Sequence, residues 1–168
     1  MLGTSTTRAA EKLELYGSSI LRIAVTYVKS KQDAEDILQD VLVKYMSCNP
    51  VFENEEHEKA WFLRVAINIS KNKCHCAAFR LRGDWGDSDS YCEAYQYNDV
   101  LEAVYELPAK YKDIIYLYYY EEYSIKEIAR LFHKKEATVK SLLRRGRERL
   151  GRSLKEDYED AYTNKASI

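Results

Sequence analysis

Ser124-Ile125-Lys126-Glu127-Ile128-Ala129-Arg130-Leu131-Phe132-His133-Lys134-Lys135-Glu136-Ala137-Thr138-Val139-Lys140-Ser141-Leu142-Leu143-Arg144-Arg145-Gly146-Arg147-Glu148-Arg149-Leu150 carries the clearest local signals in the chain. Ser124 and Glu127 have the spacing of a capping box, in which the serine hydroxyl and the glutamate each satisfy a free backbone N–H at a helix start. Ile125, Ile128, Ala129 and Phe132 then fall on one face. After a break at His133-Lys134-Lys135, Val139, Leu142, Leu143 and Leu150 form the apolar side of a second helix. Thr138, Lys140, Ser141, Arg144, Arg145 and Arg147 are left for solvent or for DNA. Two helices around a tight turn, the second one basic, outline a helix-turn-helix, whose second helix enters the major groove.

Charge is concentrated there. Residues 134–152 hold eight Lys/Arg against two acids, a net of +6, whereas the whole chain of 168 residues has a net charge of −1. The predicted contact with nucleic acid is therefore local, not a bulk attraction. Upstream, Asp99–Glu106 reads as a short helix. Leu107-Pro108 opens another, with Ile114, Ile115, Leu117 and Tyr118 on its core side. Tyr116, Tyr118, Tyr119, Tyr120 and Tyr123 read as packing residues with hydroxyls at the surface.

Residues 81–97 change character: Gly, Asp and Ser dominate, and 81–99 hold one Arg against five acids. This is a flexible acidic linker and a domain boundary. The expected organisation is an N-terminal helical domain over 1–80, a linker over 81–97, a C-terminal helix-turn-helix domain over 98–155 and a tail over 156–168. With two prolines, six glycines and no alternating β-branched run, the fold class is all-α.

In the N-terminal part, residues 1–9 read as frayed and Ala10–Val28 as a helix with Leu13, Tyr16, Ile20, Ile23, Ala24 and Tyr27 near one face. Asp33 is positioned to cap the next helix, whose stripe is Ala34, Ile37, Leu38, Val41, Leu42 and Tyr45. The opposite face carries Glu35, Asp36, Gln39 and Asp40. Acids in a first turn suit the helix dipole, but Gln39 and Asp40 lie beyond it. A loop follows, with Asn49-Pro50 as its turn signal. A third helix spans about 56–73, apolar nearly all round (Ala60, Trp61, Leu63, Val65, Ile67, Ile69) except for a stripe of Arg64, Asn68, Lys71 and Asn72.

Cys74-His75-Cys76 lacks the two-residue or longer gaps usual in structural zinc sites, so no metal and no other cofactor is expected. Glu53, Glu55, Glu56 and Glu58 cluster, but no second carboxylate set or histidine converges on them as a metal-dependent nuclease needs. The chain is read as a non-enzyme. The four cysteines show no paired CxxC spacing and the first twenty residues no continuous apolar core, which predicts reduced thiols and a cytoplasmic location.

The segments DAEDILQDVLVKY and AWFLRVAINISKNK, followed by LPAKYKDIIYLYYYEEYSIKEIARLF and TVKSLLRRGRERL, resemble bacterial RNA polymerase sigma factors of the sigma-70 family. The two-domain length resembles the extracytoplasmic function subfamily. The resemblance implies a non-catalytic subunit that takes core polymerase to promoters. It implies polymerase contacts at Asp33, Asp36, Gln39 and Asp40, against the clamp helices of the largest subunit, with a further contact at the flap region. It implies minus-ten promoter contacts at Asn54, Arg64, Asn68 and Lys71. Minus-thirty-five contacts are implied at Lys135, Glu136, Thr138, Lys140, Ser141, Arg144, Arg145 and Arg147. The linker is implied to thread toward the RNA exit path, and an anti-sigma protein is an implied partner. The sequence departs from the family at the turn, where His133 replaces a glycine, Lys134 an apolar residue and Lys135 a capping residue, and where Leu142 replaces an arginine. The alternative is a dimeric helix-turn-helix regulator that acts without polymerase; the acidic exposed face of a separate N-terminal domain argues against it.

Overall fold

A computed structural model describes residues 2–28, 30–75 and 99–165, with side chains described over 7–28, 30–75, 100 and 103–155. The described residues form seven α-helices: α1 Leu2–Val25, α2 Lys31–Cys48, α3 Glu55–His75, α4 Asp99–Glu106, α5 Ala109–Tyr119, α6 Ile125–Leu131 and α7 Glu136–Lys165. No strand occurs among them, so the all-α expectation holds. No helix of the described residues is long and apolar enough to cross a membrane. The chain divides into two compact units, Met1–Gln96 and Tyr97–Ile168. The expected 81–97 linker lies outside the described residues.

In the first unit α1, α2 and α3 pack against one another. Helix α1 begins at Leu2, not at Ala10. Extending a formed helix needs no new nucleus, so its small polar first turns can join it. Tyr16, Ile20, Ile23, Ala24 and Tyr27 are buried as expected, but Leu13 is 41% exposed. It lies along its own helix, its Cδ1 filling the space beside Gly17 where a Cβ would come within 3.0 Å.

The cap of α2 is Ser30, whose Oγ accepts from the Asp33 N–H, and not Asp33 itself. Ala34, Ile37 and Val41 are buried on its inner side. Asn49 ends the helix in the left-handed conformation (φ 42°), its N–H donating to the Tyr45 carbonyl. A short polar side chain tolerates that conformation, and Pro50 forbids continuation.

Helix α3 is less apolar all round than its composition suggests. Phe62, Leu63, Ala66, Ile67 and Ser70 make the buried face, while Trp61, Val65 and Ile69 are half-buried. Tyr16 stacks on Phe62 at 4.8 Å between ring centroids, and Phe62 meets Trp61 edge-on at 5.1 Å.

The second unit is built around α5. Pro108 stands at its N-cap and Tyr111 through Leu117 are all buried. Tyr116 breaks the expectation of surface hydroxyls: it is 2% exposed and its OH donates to Glu121 Oε1 at 3.0 Å. Helix α7 packs on α4, α5 and α6. It approaches α5 closely at Gly146, where a Cβ would lie 3.0 Å from Ile115 Cγ1. Helix α7 also runs on to Lys165, through most of the stretch read from sequence as a tail.

Candidate partner and nucleic-acid interfaces

The first candidate surface is the outer face of α2. Asp36, Gln39 and Asp40 are exposed and line a shallow groove with Ile69, Asn72 and Lys73 of α3. Asp33 differs from the other three. Its side chain is 14% exposed, and Lys73 Nζ lies 3.2 Å from its Oδ1, 3.2 Å from its carbonyl oxygen and 3.3 Å from Asp36 Oδ2. Asp33 thus ties α2 to α3, whereas Asp36, 53% exposed at the side chain, keeps room for a second cation. Lys73 was missed in the sequence because nothing local marks it; its role depends on the packing of two helices.

The second surface is the outward stripe of α3. Arg64, Asn68 and Asn72 are exposed and Lys71 is half-buried. Asn54 stands at the start of the same helix and caps it, its Oδ1 accepting from the His57 N–H at 2.8 Å. The four nearby glutamates do not converge. Glu53, Glu55 and Glu56 are exposed, whereas Glu58 points into the unit and is buried. Its carboxylate accepts from Lys12 Nζ (2.8 Å to Oε1, 2.9 Å to Oε2) and from Tyr16 OH (3.0 Å). Burial, reinforced by the adjacent Glu58 carboxylate, pushes the Tyr16 phenol up to about 12. Cys74 donates from Sγ to the Tyr27 carbonyl at 3.2 Å, and Cys76 and Cys92 lie outside the described residues. Among the described residues no group of three or more His, Cys, Asp or Glu is placed to hold a metal ion.

The third surface is the α6–turn–α7 unit. Both halves of the capping box are formed: Ser124 Oγ accepts from the Glu127 N–H, and the Glu127 carboxylate accepts from the Ser124 N–H at 2.7 Å. Hydrogen bonds from Ser124 hold the Glu127 carboxyl below its ordinary value. The turn has His133 in the left-handed region (φ 51°). The Lys134 N–H donates to the Ala129 carbonyl (2.8 Å) and the His133 N–H to the Arg130 carbonyl (3.2 Å), the two bonds of a Schellman ending. Histidine therefore does the backbone work of the expected glycine. The Lys135 carbonyl accepts from the Thr138 and Val139 N–H groups, and its ammonium, a donor only, cannot add a side-chain cap.

Lys135 before the helix and Glu136, Thr138, Lys140, Arg144, Arg145 and Arg147 along α7 are exposed, and Ser141 is half-buried. Arg144 pairs with Glu148 one turn on. Arg147 is placed differently: its guanidinium lies over the rings of Tyr118 and Tyr119, 5.4 Å from each centroid. Arg149, not singled out from the sequence, lies over Tyr111 at 5.3 Å. These two arginines flank the buried seam formed by Val139, Leu143 and Gly146.

Comparison with known proteins places both units. Residues 13–83 match the family described as Sigma-70 region 2, and residues 97–150 that described as Sigma-70, region 4. RNA polymerase sigma factor SigV of Bacillus subtilis (strain 168) is 33% identical over 94 residues, which are 54% of this chain and 57% of that protein. The sigma factor RpoE from Bartonella quintana, solved in complex with the anti-sigma factor NepR, superposes with a TM-score of 0.64 at 23% identity, covering 87% of this chain and 96% of that one. CnrH, solved with the cytosolic domain of CnrY, gives a TM-score of 0.67 at 18% identity and covers 90% of both chains. At those identities the two structures establish likeness of fold. With a region 2 match over most of α1–α3 and a region 4 match over α4, α5, α6 and the first half of α7, in that order in one polypeptide, the chain belongs to the sigma-70 family.

Proposed function

We propose that the chain is an alternative sigma factor, which binds core RNA polymerase and directs it to particular promoters. One observation carries this reading: a single chain joins a region 2 match, with Asp36, Gln39 and Asp40 exposed on one helix, to a region 4 match with a basic helix behind a formed capping box. In this reading Asp36, Gln39 and Asp40 meet the clamp helices of the largest polymerase subunit, and Asp33 holds α2 in place behind them. Arg64, Asn68 and Lys71 contact the minus-ten element, with Asn54 at the adjoining loop. Lys135, Glu136, Thr138, Lys140, Ser141, Arg144 and Arg145 face the minus-thirty-five element.

The chemistry needed is recognition, without covalent steps. Lys and Arg contacts to phosphates set register, and side chains early in α7 reach base edges. Opening a duplex means taking a base out of its stack, at a few kcal/mol. That cost is offset because polymerase and two promoter elements are bound together, each raising the effective concentration of the next. RpoE and CnrH were each solved with a protein partner. An anti-sigma partner covering the polymerase-binding face, in the cytoplasm, is proposed here by analogy.

The test is reconstitution with core RNA polymerase followed by run-off transcription on a genomic fragment library. Initiation at a restricted set of promoters is expected. Failure to co-purify with core polymerase, with dimers in light scattering and tight DNA binding by the chain alone, would replace this reading with a polymerase-independent regulator.

A further inference from the structure

The family resemblance implies Arg147 as one of eight residues facing the minus-thirty-five element, but its guanidinium has a different setting. Position 147 lies at the edge of the buried seam of α7, one residue from Gly146, where a Cβ would lie 3.0 Å from Ile115 of α5. Its guanidinium covers Tyr118 and Tyr119, 5.4 Å from each ring, and those rings meet edge-on at 5.1 Å. A planar, weakly hydrated cation within about 6 Å of an aromatic face is held there by the ring quadrupole. On the other side of the seam Arg149 covers Tyr111 at 5.3 Å. Val139 and Leu143 fill the seam above Gly146, and an arginine over aromatic rings on each side of it adds a restraint on the rotation of α7.

We propose that Arg147 is a positioning residue: it grips Tyr118 and Tyr119 and fixes the rotation of α7 on α5, leaving the phosphate contacts to Lys140, Arg144 and Arg145. This rests on the reading of α7 as the DNA-contacting helix. It divides the basic residues into those that touch the ligand and one that aims them, a division that charge alone does not give.

The experiment uses the full chain in holoenzyme with Bacillus subtilis core polymerase, on a fluorescent duplex enriched by the wild-type holoenzyme from a random library. Affinity is measured across salt concentration for Arg147→Gln, Arg147→Lys, Arg145→Gln and the double variant Tyr118→Leu/Tyr119→Leu. A residue on a phosphate contributes about one to the slope of log affinity on log salt. Arg145→Gln is expected to flatten that slope. Arg147→Gln is expected to weaken binding about threefold with the slope unchanged, the size of an exposed cation–π contact. The tyrosine double variant should match it, adding Arg147→Gln should cost nothing more, and Arg147→Lys should fail to restore affinity. A flattened slope in Arg147→Gln, restored by lysine, overturns the proposal while leaving α7 a DNA-binding helix. Amide exchange on the free chain reads the grip without DNA. Faster exchange across 144–152 is expected in Arg147→Gln and in the tyrosine double variant, and unchanged exchange overturns the proposal. A wild-type holoenzyme that enriches no duplex overturns the DNA reading instead, and the exchange result then decides the grip.

Discussion

Lys73 on α3 and Asp33 on α2 form an ion pair at 3.2 Å that turns one of four candidate contact residues inward. The same ammonium reaches Asp36 at 3.3 Å, so a single lysine separates a structural acid from an exposed one. Asp33→Asn is expected to destabilise the first unit by about 1 kcal/mol, the scale of a hydrogen-bonded, partly buried pair. Asp36→Asn and Asp40→Asn are expected to leave stability within about 0.5 kcal/mol and to weaken core polymerase binding by about tenfold, chiefly through slower association. Thermal unfolding alongside polymerase titration checks both halves; equal loss of affinity at constant stability for Asp33→Asn would return it to the contact surface.

Glu58 is expected to behave as a core residue. Glu58→Gln leaves Lys12 without its counter-charge inside the unit and should cost about 2–3 kcal/mol. The Tyr16 phenol, pushed up to about 12, adds a pH signature. The unfolded phenol ionises near 10, so this contribution is intact below about pH 10 and is lost as pH rises toward 12. Denaturant unfolding against pH should show the alkaline loss in the wild type and a smaller one in Tyr16→Phe; identical curves would count against the buried network.

His133 occupies φ 51°, where a side chain costs about 1–2 kcal/mol relative to glycine. His133→Gly is expected to stabilise the second unit by about 0.5–1 kcal/mol, reduced by the greater freedom of glycine when unfolded. His133→Val should destabilise it by at least about 1 kcal/mol, since a β-branched residue fits that region worst. Chemical denaturation of the full chain, followed in the second unit by amide exchange, gives both signs.

Gly146→Ala tests the close approach of α7 to α5. Helix propensity alone predicts a gain of about 1 kcal/mol. A Cβ 3.0 Å from Ile115 Cγ1 must push a buried side chain aside, at about 1–3 kcal/mol. Net destabilisation is therefore expected, and Gly146→Ala combined with Ile115→Val should recover part of it. A more stable single variant in thermal unfolding would show that the seam yields.

Local chemistry made much of the fold legible. The capping box at Ser124–Glu127, the stripe Ala34–Ile37–Val41 and the acidic face of α2 all depend on residues within a few positions of one another. The failures were long-range. Asp33 looked like a cap because it precedes an apolar stripe, yet Ser30 takes that role and Asp33 turns to Lys73, forty residues on. Glu58 looked like part of an acidic cluster because its neighbours are acidic; Lys12 and Tyr16, more than forty positions earlier, draw it inward. Arg147 looked like its basic neighbours, and only the rings of α5 distinguish it. Spacing reports which face a residue shares, while burial of a charge depends on what another helix brings to that face.

The ending of α6 has a consequence for redesign. Its two closing bonds run from main-chain N–H groups at residues 133 and 134 to main-chain carbonyls at 129 and 130. The turn that leads into α7 is therefore closed by backbone atoms, and the side chains at 134 and 135, both exposed, take no part in those two bonds. Those two positions form a place where the chemistry presented to a ligand can be exchanged residue by residue while the frame that presents it stays fixed.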